Sequence, residues 1–217
     1  MSNSTIPWNE FADLYAFLGN SLLKPMNQTA PVGLDPEFWA QLPDFGDDGV
    51  ADSLENCEQV ARSLSGLDPE RAIESVSVEY TRLFIGPPSP AAAPWETFYR
   101  NEGVTVGFGE ATFQMRSLLR EAGLEVVNEN HQYEDHLGIE LLYLSVLCSR
   151  IAKGELTDAS AAASFIEKHP GSWTCSLAER IALTYPDGYY RSVVTLIDSL
   201  LSWHLASLKE GYGVVCS

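Results

Sequence analysis

Basic residues are scarce in this chain. Its 217 residues hold thirteen Lys and Arg against thirty Asp and Glu, a formal charge of −17 at pH 7. Lysine occurs only at Lys24, Lys153, Lys168 and Lys209. Such a balance offers little to neutralise phosphates, so it argues against nucleic acid as a partner and suits a cationic partner or plain solubility. Between Lys24 and Arg62 there is no basic residue and there are eight acidic ones, the pattern of a solvated face. Cysteine is also sparse. Cys57, Cys148, Cys175 and Cys216 are scattered without a C-x-x-C pair, which reads as reduced thiols rather than a disulfide or zinc framework. No apolar run is long enough to cross a bilayer. The opening MSNSTIPWNEFADLY has neither the basic region nor the apolar core of a secretory signal. A cytoplasmic chain without stable membrane insertion is expected. The G-x-S-x-G elbow, the H-E-x-x-H helix and the G-x-x-x-x-G-K-[ST] loop are all missing. The common nucleophile, zinc-protease and nucleotide motifs therefore give no footing. Repeats, low-complexity tails and dividing linkers are absent too, and alternating strand patterns are nearly so.

Helical spacing is what the sequence does contain. With 45% hydrophobic residues and this length, one domain spanning 1–217 with a sizeable core is expected. Phe11, Leu14, Tyr15, Leu18 and Leu22 make one stripe over residues 9–24, with Pro25 just past it. Asp35-Pro36-Glu37 starts a short helix carrying Phe38, Trp39 and Leu42. Val50, Leu54, Cys57, Ala61 and Leu64 mark a longer helix beginning near Asp47. Residues 103–109, GVTVGFG, read as loop; helix resumes over 110–122 and stops at Gly123, and 124–127 is ambiguous between strand and extended loop. Residues 128–132 read as a polar linker. Asp135 is expected to cap a helix reaching Lys153 that is apolar nearly all round, hence buried at the centre of a bundle. Gly138, Ser145 and Ser149 give that helix a small-residue strip for close approach. Further helices are expected over 158–168, 172–184 and 187–209, the last with Tyr190, Val193, Val194, Ile197, Leu200, Leu201 and His204 on its apolar face. The fold class is all-α, a bundle of roughly ten helices.

The stretch from Glu79 to Tyr99, EYTRLFIGPPSPAAAPWETFY, is the most particular part of the chain. Asp68-Pro69 begins its helix, Tyr80, Leu83 and Phe84 extend the apolar face, and Gly86-Pro87-Pro88 breaks it. Trp95, Phe98 and Tyr99 follow a Pro/Ala-rich connector. This is a helix–loop corner packed into a core, or the wall of a pocket. The densest polar cluster is His131, Glu134, Asp135, His136 and Glu140. His136 and Glu140 are four apart and share a helix face, so with His131 they have a spacing compatible with metal ligation. Capping explains Asp135 more simply. His169 and Trp173, four apart across Pro170-Gly171, read as a helix-entry contact, and His204 as a packed core histidine.

Three segments, in order, resemble the TorD/DmsD family of cytoplasmic molybdoenzyme chaperones. Glu79, Arg82-Leu83-Phe84, Gly86-Pro87, Ala93-Pro94-Trp95 and Tyr99 match its E-x-x-R-L-F-x-G-P and P-P-W segments, with Ala93 in place of the first proline. Gln132 to Leu141, QYEDHLGIEL, matches E-P-x-D-H-[IFL]-G-x-x-L, with Tyr133 in place of proline. His169, Trp173 and Tyr189-Tyr190-Arg191 match H-x-x-P-W and F-Y-R more loosely. The resemblance implies a non-catalytic protein that binds the twin-arginine leader of a molybdoenzyme before export, and an apoenzyme client whose molybdenum cofactor belongs to the client. This chain is expected to carry no cofactor or metal of its own. An apolar leader segment would lie in a helical groove with acidic groups reading the arginines. Tyr80, Leu83, Phe84, Trp95, Tyr99, Asp135 and His136 are the residues expected on that surface. The alternative reading is a small metal-dependent hydrolase using His131, Asp135, His136 and Glu140; a third is an adaptor whose aromatic stretch is only core. A monomer with some swapped dimer is expected, hinged over 128–135.

Overall fold

The computed structural model describes residues 6–100, 108–126 and 132–213. The described residues form ten α-helical segments and no strands. These are α1 (Trp8–Leu23), α2 (Pro36–Ala40), α3 (Asp48–Leu64), α4 (Pro69–Tyr80), α5 (Thr97–Arg100), α6 (Glu110–Glu121), α7 (Leu137–Ala152), α8 (Ser160–Lys168), α9 (Thr174–Ala182) and α10 (Tyr189–Gly213). Short 3₁₀ turns at Met26–Gln28, Val32–Leu34 and Pro170–Ser172 join them.

Local chemistry starts the helices as expected. Asp35, Asp47 and Asp68 each accept a first-turn backbone N–H, from Glu37, Val50 and Glu70. Proline fills the first position of α2 and α4, where its missing N–H costs nothing. After Tyr80, α4 widens into a π-turn over Thr81–Ile85 and ends at Gly86. Gly86 has φ +104°, and a Cβ there would lie 2.9 Å from the Ser89 backbone, so only glycine fits this break.

The centre of the bundle is the packing of α1 along α7. All five residues of the α1 stripe are buried, as are Leu137, Ile139, Leu141, Leu144 and Leu147 of α7. Each such side chain contributes about 1.5–3 kcal/mol when removed from water. The helices touch backbone to backbone. A Cβ on Gly19 would meet the Gly138 carbonyl oxygen at 2.8 Å, and one on Gly138 would meet the Gly19 oxygen at 2.7 Å. Ser145 Oγ donates to the Ala12 carbonyl at 2.6 Å. Gly138 and Ser145 of the small-residue strip seen in the sequence thus make the α1 contact.

Helix α10 runs against α3, α8, α9 and α4, and its expected stripe is fully buried. Its start is held from a distance. The buried Glu79 carboxylate accepts the backbone N–H of Tyr189 at 3.1 Å and of Tyr190 at 2.7 Å, satisfying two N–H groups that a helix leaves orphaned. His204 is a core histidine, stacked on Phe11 with ring centroids 4.1 Å apart and bonded to the Tyr15 hydroxyl at 3.1 Å. Burial pushes its imidazole down to about 3, so it is neutral.

Candidate functional site: a buried polar joint beneath an aromatic surface

The first two motif segments pair through their backbones. Trp95 and His136 form an antiparallel bridge. Glu96 N–H donates to the Asp135 carbonyl at 2.9 Å, and Leu137 N–H to the Pro94 carbonyl at 2.9 Å. This bridge turns Asp135 inward. Its Oδ2 accepts the Thr97 N–H at 3.0 Å and the Thr97 hydroxyl at 2.6 Å; its Oδ1 accepts the Thr112 hydroxyl at 2.9 Å. The residue is fully buried. Desolvation raises its pKa, and the threonine hydrogen bonds oppose that rise.

The capping expectation is therefore corrected. His136, not Asp135, caps α7: its Nδ1 accepts the Gly138 N–H at 3.0 Å. Nδ1 must be unprotonated to accept, which places the single proton on Nε2. Burial holds this imidazole at about 3, so it is neutral. Asp135 is drawn away from the helix start because two hydroxyls and an amide reach it first.

A second layer lies below. Trp173 Nε1 donates to Glu140 Oε2 at 3.1 Å. His169 Nδ1 sits 3.0 Å from Glu96 Oε2, and Arg100 ion-pairs with Glu96. Glu96 and Glu140 are both fully buried. Burial first, and the charge of Glu96 second, raise the Glu140 carboxyl well above its usual range. A proton on Glu140 lets the two carboxyl groups hydrogen-bond. His169 and Trp173, read from sequence as a helix-entry contact, are thus partners of this pair. Glu96 escaped the sequence reading; an acid within the apolar run PWETFY was its signal. Among the described residues Glu96, Glu140 and His169 form a group with ligand-type atoms within 4.8 Å of one another. The Arg100 guanidinium on Glu96, 3.5 Å from His169 Nδ1, already supplies positive charge there.

The seven residues expected on the peptide surface divide. Tyr80, Leu83, Phe84, Asp135 and His136 are buried, while Trp95 and Tyr99 are half-buried. Tyr80 and Phe84 pack edge-to-face on Tyr190, and Tyr99 stacks on Trp173 at 5.1 Å. In this conformation five of the seven lie in the core and two are half-buried. Among the described residues, Asp135, His136 and Glu140 of the hydrolase reading do not form a ligand group. Asp135 is committed to Thr97 and Thr112, His136 to Gly138, and Glu140 to Trp173. His131, with most of the 128–132 linker and of the 103–109 loop, lies outside the described residues, as does Cys216.

Above the joint sits an aromatic surface. Tyr133 rests 6.0 Å from Trp95 and 5.6 Å from Phe108, and Phe108 rests 5.0 Å from Phe113. Phe98 adds to it beside Trp95 at 6.0 Å. Phe108 is 41% exposed and Phe113 52%. At its edge Arg116 and Glu134 make a two-pronged pair, Nε to Oε1 at 2.8 Å and Nη2 to Oε2 at 3.0 Å. Burial alone would raise the Glu134 carboxyl; the hydrogen bonds and charge of Arg116 outweigh it and hold the pKa low. Separately, a groove of about 580 Å³ lies between α1, α6 and α7, lined by Leu23, Leu119, Ile139 and Leu142. None of the seven residues lines it. No helix among the described residues is long and apolar enough to cross a membrane.

Comparison with known proteins agrees with these segments. Residues 47–179, more than half of the chain, match the family model described as nitrate reductase delta subunit. A chaperone protein TorD from Shewanella pealeana is 24% identical over 166 residues, covering 74% of this chain and 70% of the relative. A probable Tat proofreading chaperone DmsD from Haemophilus influenzae is 21% identical over 145 residues, covering 66% and 68%. A Tat proofreading chaperone DmsD from Salmonella typhi is 35% identical over a shorter 69 residues, 32% of this chain and 33% of the relative. With its all-α fold and its three motif segments meeting in one joint, the chain belongs to the nitrate reductase delta subunit family, the family of the TorD and DmsD chaperones.

Proposed function

We propose that this protein is a cytoplasmic chaperone for a molybdoenzyme, which binds the precursor's twin-arginine leader and releases it for export after the enzyme has matured. Family membership supports the class of activity. The observation that carries the leader-binding reading is the surface built by Trp95, Phe98, Phe108, Phe113 and Tyr133, three of them from the first two motif segments. A leader presents guanidinium groups followed by an apolar run, and an aromatic surface with a carboxylate at its edge offers both kinds of contact. The strongly acidic chain adds long-range attraction for a cationic segment.

Of the seven expected residues, Trp95 and Tyr99 touch the peptide on this reading. Asp135 and His136 act through position, by fixing the bridge that presents Trp95, Tyr133 and Glu134. Tyr80, Leu83 and Phe84 back the surface from the core. The chaperone acts mostly as a monomer, with exchange of C-terminal helices giving a minor dimer. The test is calorimetric titration with a peptide of the form S-R-R-x-F-L-K and with its Lys-Lys variant. Saturable binding that weakens on the Lys-Lys change supports the proposal; no heat with either peptide refutes it.

A further inference from the structure

The Arg116–Glu134 pair is placed oddly for a stabilising contact. Arg116 is half exposed, and its side chain reaches from α6 to the residue just before Asp135. An exposed pair of this kind adds about 1 kcal/mol or less to stability. Its surroundings are more specific than its strength requires. The guanidinium lies 5.9 Å from the Phe108 ring centroid and 6.0 Å from that of Phe113, within cation–π range of two exposed rings. It meets Glu134 fork to fork, the geometry that suits a guanidinium and not an ammonium. Glu134 is rigidly presented. Asp135 is locked to Thr97 and Thr112, and the His136 N–H is bonded to the Tyr133 carbonyl at 3.1 Å.

A carboxylate fork held on a fixed backbone, with two aromatic faces beside it, forms a complete guanidinium site. In the free protein its occupant is the chain's own arginine. That occupant is tethered by a flexible side chain whose other side faces solvent, so displacing it costs little. Its charge also shields Glu134 from other cations until it leaves.

We propose that Glu134, Phe108 and Phe113 form an arginine-reading subsite which Arg116 fills in the free chaperone and which one arginine of the leader takes over on binding. The inference rests on the leader-binding reading above. It assigns the arginine contact to Glu134, whose carboxylate is within reach of solvent, and makes Arg116 an internal competitor that sets affinity. A lysine leader would gain less, because an ammonium cannot make the fork.

The test is calorimetric titration of the S-R-R-x-F-L-K peptide and its Lys-Lys variant into the parent, Arg116→Gln, Glu134→Gln and Arg120→Gln, with thermal melting of each. Arg120 is an exposed arginine one turn along α6, and its variant controls for the mere loss of a positive charge. Expected are binding about fivefold tighter to Arg116→Gln and about fivefold weaker to Glu134→Gln, the scale of one partly exposed charge-assisted fork. The gain in Arg116→Gln should be larger for the Arg-Arg peptide than for the Lys-Lys peptide, and larger than in Arg120→Gln. If the parent binds the leader and Arg116→Gln and Glu134→Gln bind it equally well, the subsite is wrong while the chaperone reading stands. Equal gains in Arg116→Gln and Arg120→Gln also overturn it. No binding to the parent overturns both.

Discussion

Asp135 Oδ2 accepts both the backbone N–H and the hydroxyl of Thr97, 38 residues earlier in the chain. That double contact joins the two most particular segments of the sequence and fixes the floor on which Trp95, Tyr133 and Glu134 stand. Removing the carboxylate would leave an amide and two hydroxyls buried without it. Asp135→Ala should therefore lose roughly 3 kcal/mol of stability, measured by urea denaturation. Asp135→Asn should lose less, since one oxygen remains for Thr97 and the Thr112 hydroxyl can turn to accept from the amide. Equal stability of Asp135→Ala and the parent would show that the joint contributes nothing.

The α1–α7 contact makes a separate prediction. Gly19→Ala and Gly138→Ala each drive a methyl into a backbone carbonyl, which no rotamer change relieves. Each should destabilise by about 1–3 kcal/mol, read from the denaturation midpoint, although alanine is the better helix former by roughly 1 kcal/mol. A gain in stability in either variant would mean that the helices do not approach this closely.

Stability should fall on both sides of a middle range of pH. The Glu140 carboxyl is raised above its unfolded value of about 4.3. The folded state then binds the extra proton, so the stabilisation is complete below that value and is lost as pH rises through the folded pKa. His136 and His204 are lowered from 6.5 to about 3. Their contribution is complete above 6.5 and is lost as pH falls toward 3. Glu140→Gln keeps an acceptor for Trp173 and a donor for Glu96 without a titrating proton. Melting curves from pH 4 to 9 should diverge above about pH 4.3, with Glu140→Gln losing less stability than the parent as pH rises, while the histidine-driven loss toward acid remains in both. Parallel curves over the whole range would contradict the shared proton.

Much of this was legible in the sequence. The helices followed from the 3.6 period and from aspartate caps, because capping and burial on one face are local facts. The Gly138–Ser145 strip revealed a close helix contact without naming α1 as the partner. Polar side chains inside the core were harder to read. Asp135 sits where a cap belongs, yet Thr97 and Thr112 claim it, and no spacing rule reports a contact across 38 residues. The pairing of Glu96 with Glu140 and His169 is hidden for the same reason. In the Tyr80–Phe84 segment the helical stripe marked a face packed into the core, as found, and a stripe says nothing of peptide contact. The exposed surface was missed in part because Phe108 and Phe113 lie outside the motifs, and Glu134 was passed over beside the more conspicuous Asp135.

The central claim is that a twin-arginine leader binds on the aromatic surface above this joint. Backbone and indole chemical-shift mapping of the labelled protein, titrated with the S-R-R-x-F-L-K peptide, tests it most directly. The account predicts saturable shifts concentrated at the Trp95 indole and at Phe108, Phe113, Tyr133 and Glu134, weaker with the Lys-Lys peptide. Shifts confined to Leu23, Leu119, Ile139 and Leu142 in the groove between α1, α6 and α7, or no shifts at all, would contradict it.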